Sequence, residues 1–197
     1  MPVSVSTASR AKRMRKLAKP SSSLLLWSAV IILVVAALDQ VTKFWAVSAL
    51  TGQPSLDVLG DFFKFTLVYN EGGAMGTSFG SSTWYLVIAL IIVPILLYYL
   101  YIYRTMASFS IPLAFICGGA IGNLADRIRI GKVVDFLDVD FFDVNFLGIH
   151  IDRWWTFNIA DAAISCALVY LLIMVLFHKP PQQKSSEDLP SPVSTSL

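Results

Sequence analysis

Four long apolar runs fix most of what this chain can become. Residues 24–47, 84–103, 107–124 and 159–177 carry few charges, and each is near the ~20 residues that cross ~30 Å of hydrocarbon as a helix. A water-soluble core cannot absorb them. Of the 197 residues, 56% are hydrophobic and only 14% charged, so a bilayer must supply the apolar surroundings. The first run is too deep in the chain and too long for a cleavable signal peptide, and no small-residue cleavage motif follows it. It is read as a retained span. Pro94 falls inside the second run and predicts a kink that neighbouring helices accommodate.

Lys and Arg near the span ends set the orientation. The leader, residues 1–23, contains "SRAKRMRKLAKP", with six basic residues and no acid. Arg104 stands in the short turn between the second and third runs, and Lys179 follows the fourth. With four spans all three places lie on one side, which predicts a multi-pass protein with both termini in the cytoplasm. The leader is also suited to anionic lipid headgroups. The Pro/Ser-rich tail, residues 179–197, is expected to be disordered. A net charge of +2 argues against a general nucleic-acid surface. Cys117 and Cys166 both lie in apolar runs and read as small buried hydrophobes, not as a disulfide or metal ligands.

Residues 48–83 and 125–158 then fall on the outer side. "FFKFTLVYN" places Phe63, Phe65, Leu67 and Tyr69 on one face of a strand, and "VVDFLDVDFF" does the same for Leu137, Val139 and Phe141. "NEGGAMG" has the glycines of a tight turn or a close backbone approach. The predicted fold is an all-α membrane protein: a four-transmembrane-helix bundle over residues 24–178, with a small β-rich extracytoplasmic cap.

Ionisable groups inside such a protein need an explanation. In "FNIADAAI", Asn158 is a good helix N-cap with Asp161 at the third helical position, where a carboxylate also suits the helix dipole. In "GNLADR", Asn123, Asp126 and Arg127 share a helical face, and Arg127 is able to pair with a carboxylate or hold a carbonyl. Asp39 and Lys43 stand at i and i+4 with the acid first, a favourable helix pair read as mainly structural. Asp39 lies about 22 Å along the first span, near its outer edge. Asp135 sits among apolar neighbours close to the membrane surface, where a carboxylate resists ionisation. The acids of "DVDFFDV", with His150 and Asp152, raise a calcium site, but the loop glycine is missing and strand alternation explains them. No H-E-x-x-H or G-x-S-x-G motif occurs, and the only histidines are His150 and His178. No metal or cofactor is expected.

What remains is a gathering of acids and amides at the outer ends of three helices. Two aspartates facing one another share a proton, so one takes a proton from water while the other donates to a carbonyl oxygen or leaving amine. The same residues also suit a small transporter with a proton relay, or a structural subunit whose acids only cap helices. The residues alone leave all three open.

"DQVTK", "YNEGGAMG", "GGAIGNLADRIRIGKVVDF" and "FNIADAAI" occur in an order that resembles lipoprotein signal peptidase, or signal peptidase II. That family comprises four-span aspartyl proteases of the bacterial cytoplasmic (inner) membrane. The resemblance covers nearly everything but the tails. It implies a hydrolase that removes signal peptides from diacylglyceryl-modified prolipoproteins, cutting before the lipidated cysteine at the outer membrane face. It implies Asp135 and Asp161 as the catalytic pair and Asp126 as a structural acid beside Arg127. Asn123, Arg127 and Asn158 correspond to polar residues around the pair, and Asp39 and Asn70 to other polar motif positions. Globomycin-type cyclic peptides are the implied inhibitors. A monomer among membrane lipids is expected. Two departures bear on loop shape and inhibitor fit. "NEGGAMG" replaces a form that more often has Ala-Ala-Phe after its glycine, and residues 137–156 are longer and more acidic than is common.

Overall fold

Helix α1 (Ser22–Leu50) has 29 residues, about 43 Å of helix, so it outruns the ~30 Å hydrocarbon layer by several turns. The surplus carries the rest of the fold's extramembrane part. A computed structural model describes residues 22–72, 82–140, 144–146, 149–151 and 155–177. The basic leader, residues 73–81 of the glycine-rich segment, Phe141, Asp152, His178 and the tail from Lys179 lie outside the described residues.

Three further helices follow: α2 (Ser82–Ile102), α3 (Ala107–Ile130) and α4 (Ile159–Phe177). All four are long and apolar enough to cross a membrane. Their outward faces are apolar too, with Leu33 69% and Val41 65% exposed, a pattern that only a lipid solvent tolerates. Pro94 lies inside α2. Tyr99, Tyr103 and Phe109 stack where α2 turns into α3, and Arg104 lies over the Tyr101 ring.

Helix α3 packs against all three others, and α1 also meets α4. α1 and α3 run parallel. Asp39 lies against Gly122, and four residues further along both helices Lys43 meets Asp126. α3 comes just as close to α4. A Cβ on Gly119 would stand 2.5 Å from the Ala160 carbonyl oxygen, so only glycine permits this spacing.

The third helix runs to Ile130, six residues past the end of its apolar run at Leu124. Asp126, Arg127 and Arg129 therefore belong to its last turns and not to the following loop, because basic residues suit a helix C-terminus. Gly131 stops the helix in the left-handed conformation, φ 71°, its N–H bonded to the Arg127 carbonyl.

Strands β1 (Leu56–Leu59), β2 (Phe63–Asn70) and β3 (Val133–Val139) form an antiparallel sheet in that order. Phe157 adds an isolated bridge to Leu137. Strands β4 (Val144–Phe146) and β5 (Ile149–Ile151) make a separate hairpin within the long acidic segment. The sheet sits across the end of α1. Ala46, Leu50 and Phe136 form its buried core, joined by Phe65, Leu67, Leu137 and Ile159. Trp45 meets Phe65 edge-on at 4.9 Å. A register shift between Phe65 and Val68 interrupts β2. The expected single face of Phe63, Phe65, Leu67 and Tyr69 is thus broken: the bulge adds a residue, and Tyr69 is left 45% exposed. β3 buries Val133 to Phe136 without alternation, since Asp135 is buried on the face opposite Phe136.

Candidate functional site

The polar residues named from the sequence gather at the sheet end of the bundle. Asn158 caps α4: its side-chain oxygen accepts the Asp161 backbone N–H at 2.9 Å, and the Asp161 carboxylate accepts the Asn158 N–H at 3.4 Å. This is the reciprocal N-cap arrangement. The same asparagine reaches out of the helix. Its Nδ2 donates to Asp135 Oδ1 at 2.7 Å and to Asn123 Oδ1 at 3.1 Å. One residue therefore joins the end of α4, the middle of β3 and the face of α3.

Each of the two acids has a second amide. Asn70 Nδ2, at the end of β2, donates to Asp135 Oδ2 at 3.0 Å, while Asn70 Oδ1 accepts the Gly72 N–H at 2.9 Å. Asn123 Nδ2 donates to Asp161 Oδ1 at 2.8 Å. Asp135 is 2% exposed. Burial pushes its carboxyl up to about 6; the Asn70 bond opposes that, and the nearby Asp161 charge adds to it. The two acids thus sense each other.

Behind them lies a cluster with no access to solvent. Asp39, Lys43 and Asp126 are each fully buried. Lys43 Nζ meets Asp39 Oδ2 at 2.8 Å, Asp126 Oδ2 at 2.9 Å and Asn123 Oδ1 at 2.9 Å. Asp39 Oδ1 accepts the Ala160 N–H at 2.9 Å, tying α1 to the start of α4. Asp126 Oδ2 also accepts the Val134 N–H at 3.2 Å. Charges buried this deeply hold only when paired and hydrogen-bonded, and each of these is.

Asp126 pairs not with its neighbour Arg127 but with Lys43 and, at 3.0 Å, with Arg129. Adjacent helix residues diverge by about 100°, so the residue three positions on is the one within reach. Arg127 holds a carbonyl instead, donating to Gly72 at 3.2 Å, with its guanidinium 6.0 Å from the Tyr85 ring centre. The Asp39–Lys43 helix pair forms at 2.8 Å, and its lysine also reaches Asn123, which bonds Asp161.

Gln40 and Arg129 were not singled out by sequence. Gln40 Nε2 donates to the Gly122 carbonyl at 3.1 Å and to Asp126 Oδ1 at 3.2 Å. An amide beside Asp39 on an apolar helix was the signal available. Among the described residues, no group of three or more His, Cys, Asp or Glu is disposed to hold a metal ion. A buried acid and a partly buried one in electrostatic reach of each other, each bonded by amides, form an arrangement able to share one proton.

Fold and site together define a multi-pass membrane protein with an amide-linked acid pair at one end of a four-helix bundle. The family model described as signal peptidase (SPase) II matches residues 31–177. The chain belongs to the signal peptidase II family. It is 36% identical over 155 residues to a lipoprotein signal peptidase of Chlorobium phaeobacteroides, covering 77% of this chain and 89% of the relative. It is 39% identical over 160 residues to one of Psychromonas ingrahamii, covering 78% and 85%. A bacterial membrane enzyme solved by the in meso method at 1.9 Å superimposes with a TM-score of 0.63 at 28% identity, over 77% of this chain and 94% of that one.

Proposed function

We propose that this protein is an aspartic endopeptidase that removes the signal peptide from diacylglyceryl-modified prolipoproteins, cutting before the lipidated cysteine. The observation that carries the reading is Asn158, which bonds Asp135 with its amide and Asp161 with its carbonyl oxygen. It ties together two acids from different elements, and family membership supplies the substrate class.

In the mechanism the pair carries one proton. The ionised carboxylate takes a proton from a water molecule as that water's oxygen attacks the scissile carbonyl carbon. The protonated partner donates to the carbonyl oxygen. The tetrahedral intermediate then collapses: the proton taken from water passes to the leaving amine of the lipidated cysteine, the C–N bond breaks, and the hydroxyl proton returns to the pair, which again carries one proton. Burial is essential, because it lets Asp135 hold a proton well above the ordinary carboxylate range. Asn70 and Asn158 hold Asp135, and Asn123 holds Asp161. Arg127 secures the chain at Gly72 beside the pair. The substrate enters sideways from the bilayer with its acyl chains left among lipids, and the sheet supports the extended peptide. The active site faces outward from the cytoplasmic membrane, with both termini inside. Globomycin-type cyclic peptides compete for the same place.

A proton-relay transporter would distribute acids through the thickness of the membrane. Here Asp39, Asp126, Asp135 and Asp161 lie at the sheet end, and α4 beyond Asp161 has no charged residue.

The test is a gel-shift cleavage assay on a diacylglyceryl-modified prolipoprotein, using wild type, Asp135→Asn and Asp161→Asn purified in detergent. Globomycin-sensitive cleavage lost in both folded variants is the expected result. Full cleavage by either variant would remove that residue from the pair.

A further inference from the structure

Lys43 holds Asp39, Asp126 and Asn123, and Asn123 is the side-chain amide that faces Asp161. We infer that Lys43 is a positioning residue that fixes the orientation of the Asn123 amide, and through it the Asp161 carboxylate. The inference rests on the dyad reading above.

An ammonium has three donors and no acceptor. It is therefore able to meet only the oxygen of Asn123, never the NH2, and the 2.9 Å contact is with Oδ1. Asn158 Nδ2, also a donor, takes the same oxygen at 3.1 Å. With Oδ1 held between two donors, Nδ2 must point the other way, and there it meets Asp161 Oδ1 at 2.8 Å. Were the amide reversed, two oxygens would face one another across that gap, and the NH2 would face the donors of Lys43 and Asn158. Lys43 is itself locked by Asp39 and Asp126, and all three are fully buried. Asp39 further accepts the Ala160 N–H, one residue before Asp161. A cation on α1 thus decides which atom of an α3 side chain is offered to an acid on α4.

Lys43→Met alone would strand two buried carboxylates and risk the fold. The deciding variants are charge-balanced. In Asp39→Asn/Lys43→Met the remaining Asp126 keeps Arg129, and the new amide oxygen is still able to accept from Ala160. Asp39→Asn/Lys43→Gln has nearly the same shape but returns an N–H donor at position 43. Each is made with and without Asn123→Ala and assayed for kcat and KM on the lipidated prolipoprotein, with thermal unfolding measured in parallel.

The Met pair is expected to lose at least tenfold in kcat with KM little changed, and the Gln pair to recover part of that loss. The Met pair combined with Asn123→Ala should lose no more in total than Asn123→Ala alone, the non-additivity of two residues acting in series. Losses that multiply, equal activity in the Met and Gln pairs, or a kcat loss that merely follows unfolding would overturn the assignment. A wild-type enzyme that cleaves, with both single dyad variants inactive, separates that outcome from a failure of the dyad itself.

Discussion

Asn158 bonds Asp135 at 2.7 Å through its NH2 and the Asp161 backbone at 2.9 Å through its oxygen. The two acids come from a strand and a helix, and this amide is their shared support. Asn158→Ala should therefore reduce kcat by roughly 10²-fold, the usual scale for losing one pre-organised donor in a buried site. Asn158→Asp should do no better, since it places a third carboxyl between two others. Steady-state cleavage of the lipidated substrate is the check.

Burial raises the Asp135 carboxyl to about 6. As pH rises through that value Asp135 gives up its proton beside the Asp161 charge, and the pair becomes doubly ionised and loses its acid. The turnover rate should drop by about tenfold per pH unit above it. The apparent value belongs to the coupled pair, not to one residue. A rate–pH profile in detergent that stays flat from pH ~6 up to pH ~9 would contradict this.

The same shift has a stability consequence. Asp135 binds its proton more tightly folded than unfolded, so its burden is absent below its ordinary value of 3.8 and fully present above about 6. Roughly two pH units correspond to about 3 kcal/mol. Asp135→Asn removes the charge but spoils one amide bond worth about 1 kcal/mol. It should unfold at higher temperature than wild type above neutral pH, with the advantage shrinking as the pH is lowered. Parallel thermal melts at two pH values measure it.

Gly119 sets the distance between α3 and α4. A Cβ there would meet the Ala160 carbonyl oxygen at 2.5 Å and Ile164 Cγ1 at 2.8 Å, and the backbone contact is unable to yield without moving a helix. Gly119→Ala should cost about 1–3 kcal/mol, the range for overpacking. It should also lower activity by loosening Asn123 from Asp161, one turn further along α3. Thermal unfolding and cleavage together distinguish it from a harmless surface change.

The apolar runs alone determined four spanning helices, because crossing hydrocarbon leaves a backbone of that length no other way to satisfy its N–H and C=O groups. The N-cap role of Asn158 was equally local: an amide three residues before an acid needs only its own helix turn. The strand patterns located a sheet, but not the bulge in β2 or the burial of Asp135, which depend on what lies against each face. The polar partners were settled only by tertiary structure. Asp126 could reach Arg129 or another helix by spacing alone. The parallel packing of α1 against α3 chose Lys43, and the same register brought Gln40 onto Asp126. Which residues meet across helices depends on how each is rotated and how far it slides along its neighbour. Glycines 119 and 122 permit the close approach that sets both. A one-dimensional spacing carries neither quantity, so the sequence named most of this cluster, while the fold added Gln40 and Arg129 and decided which members touch.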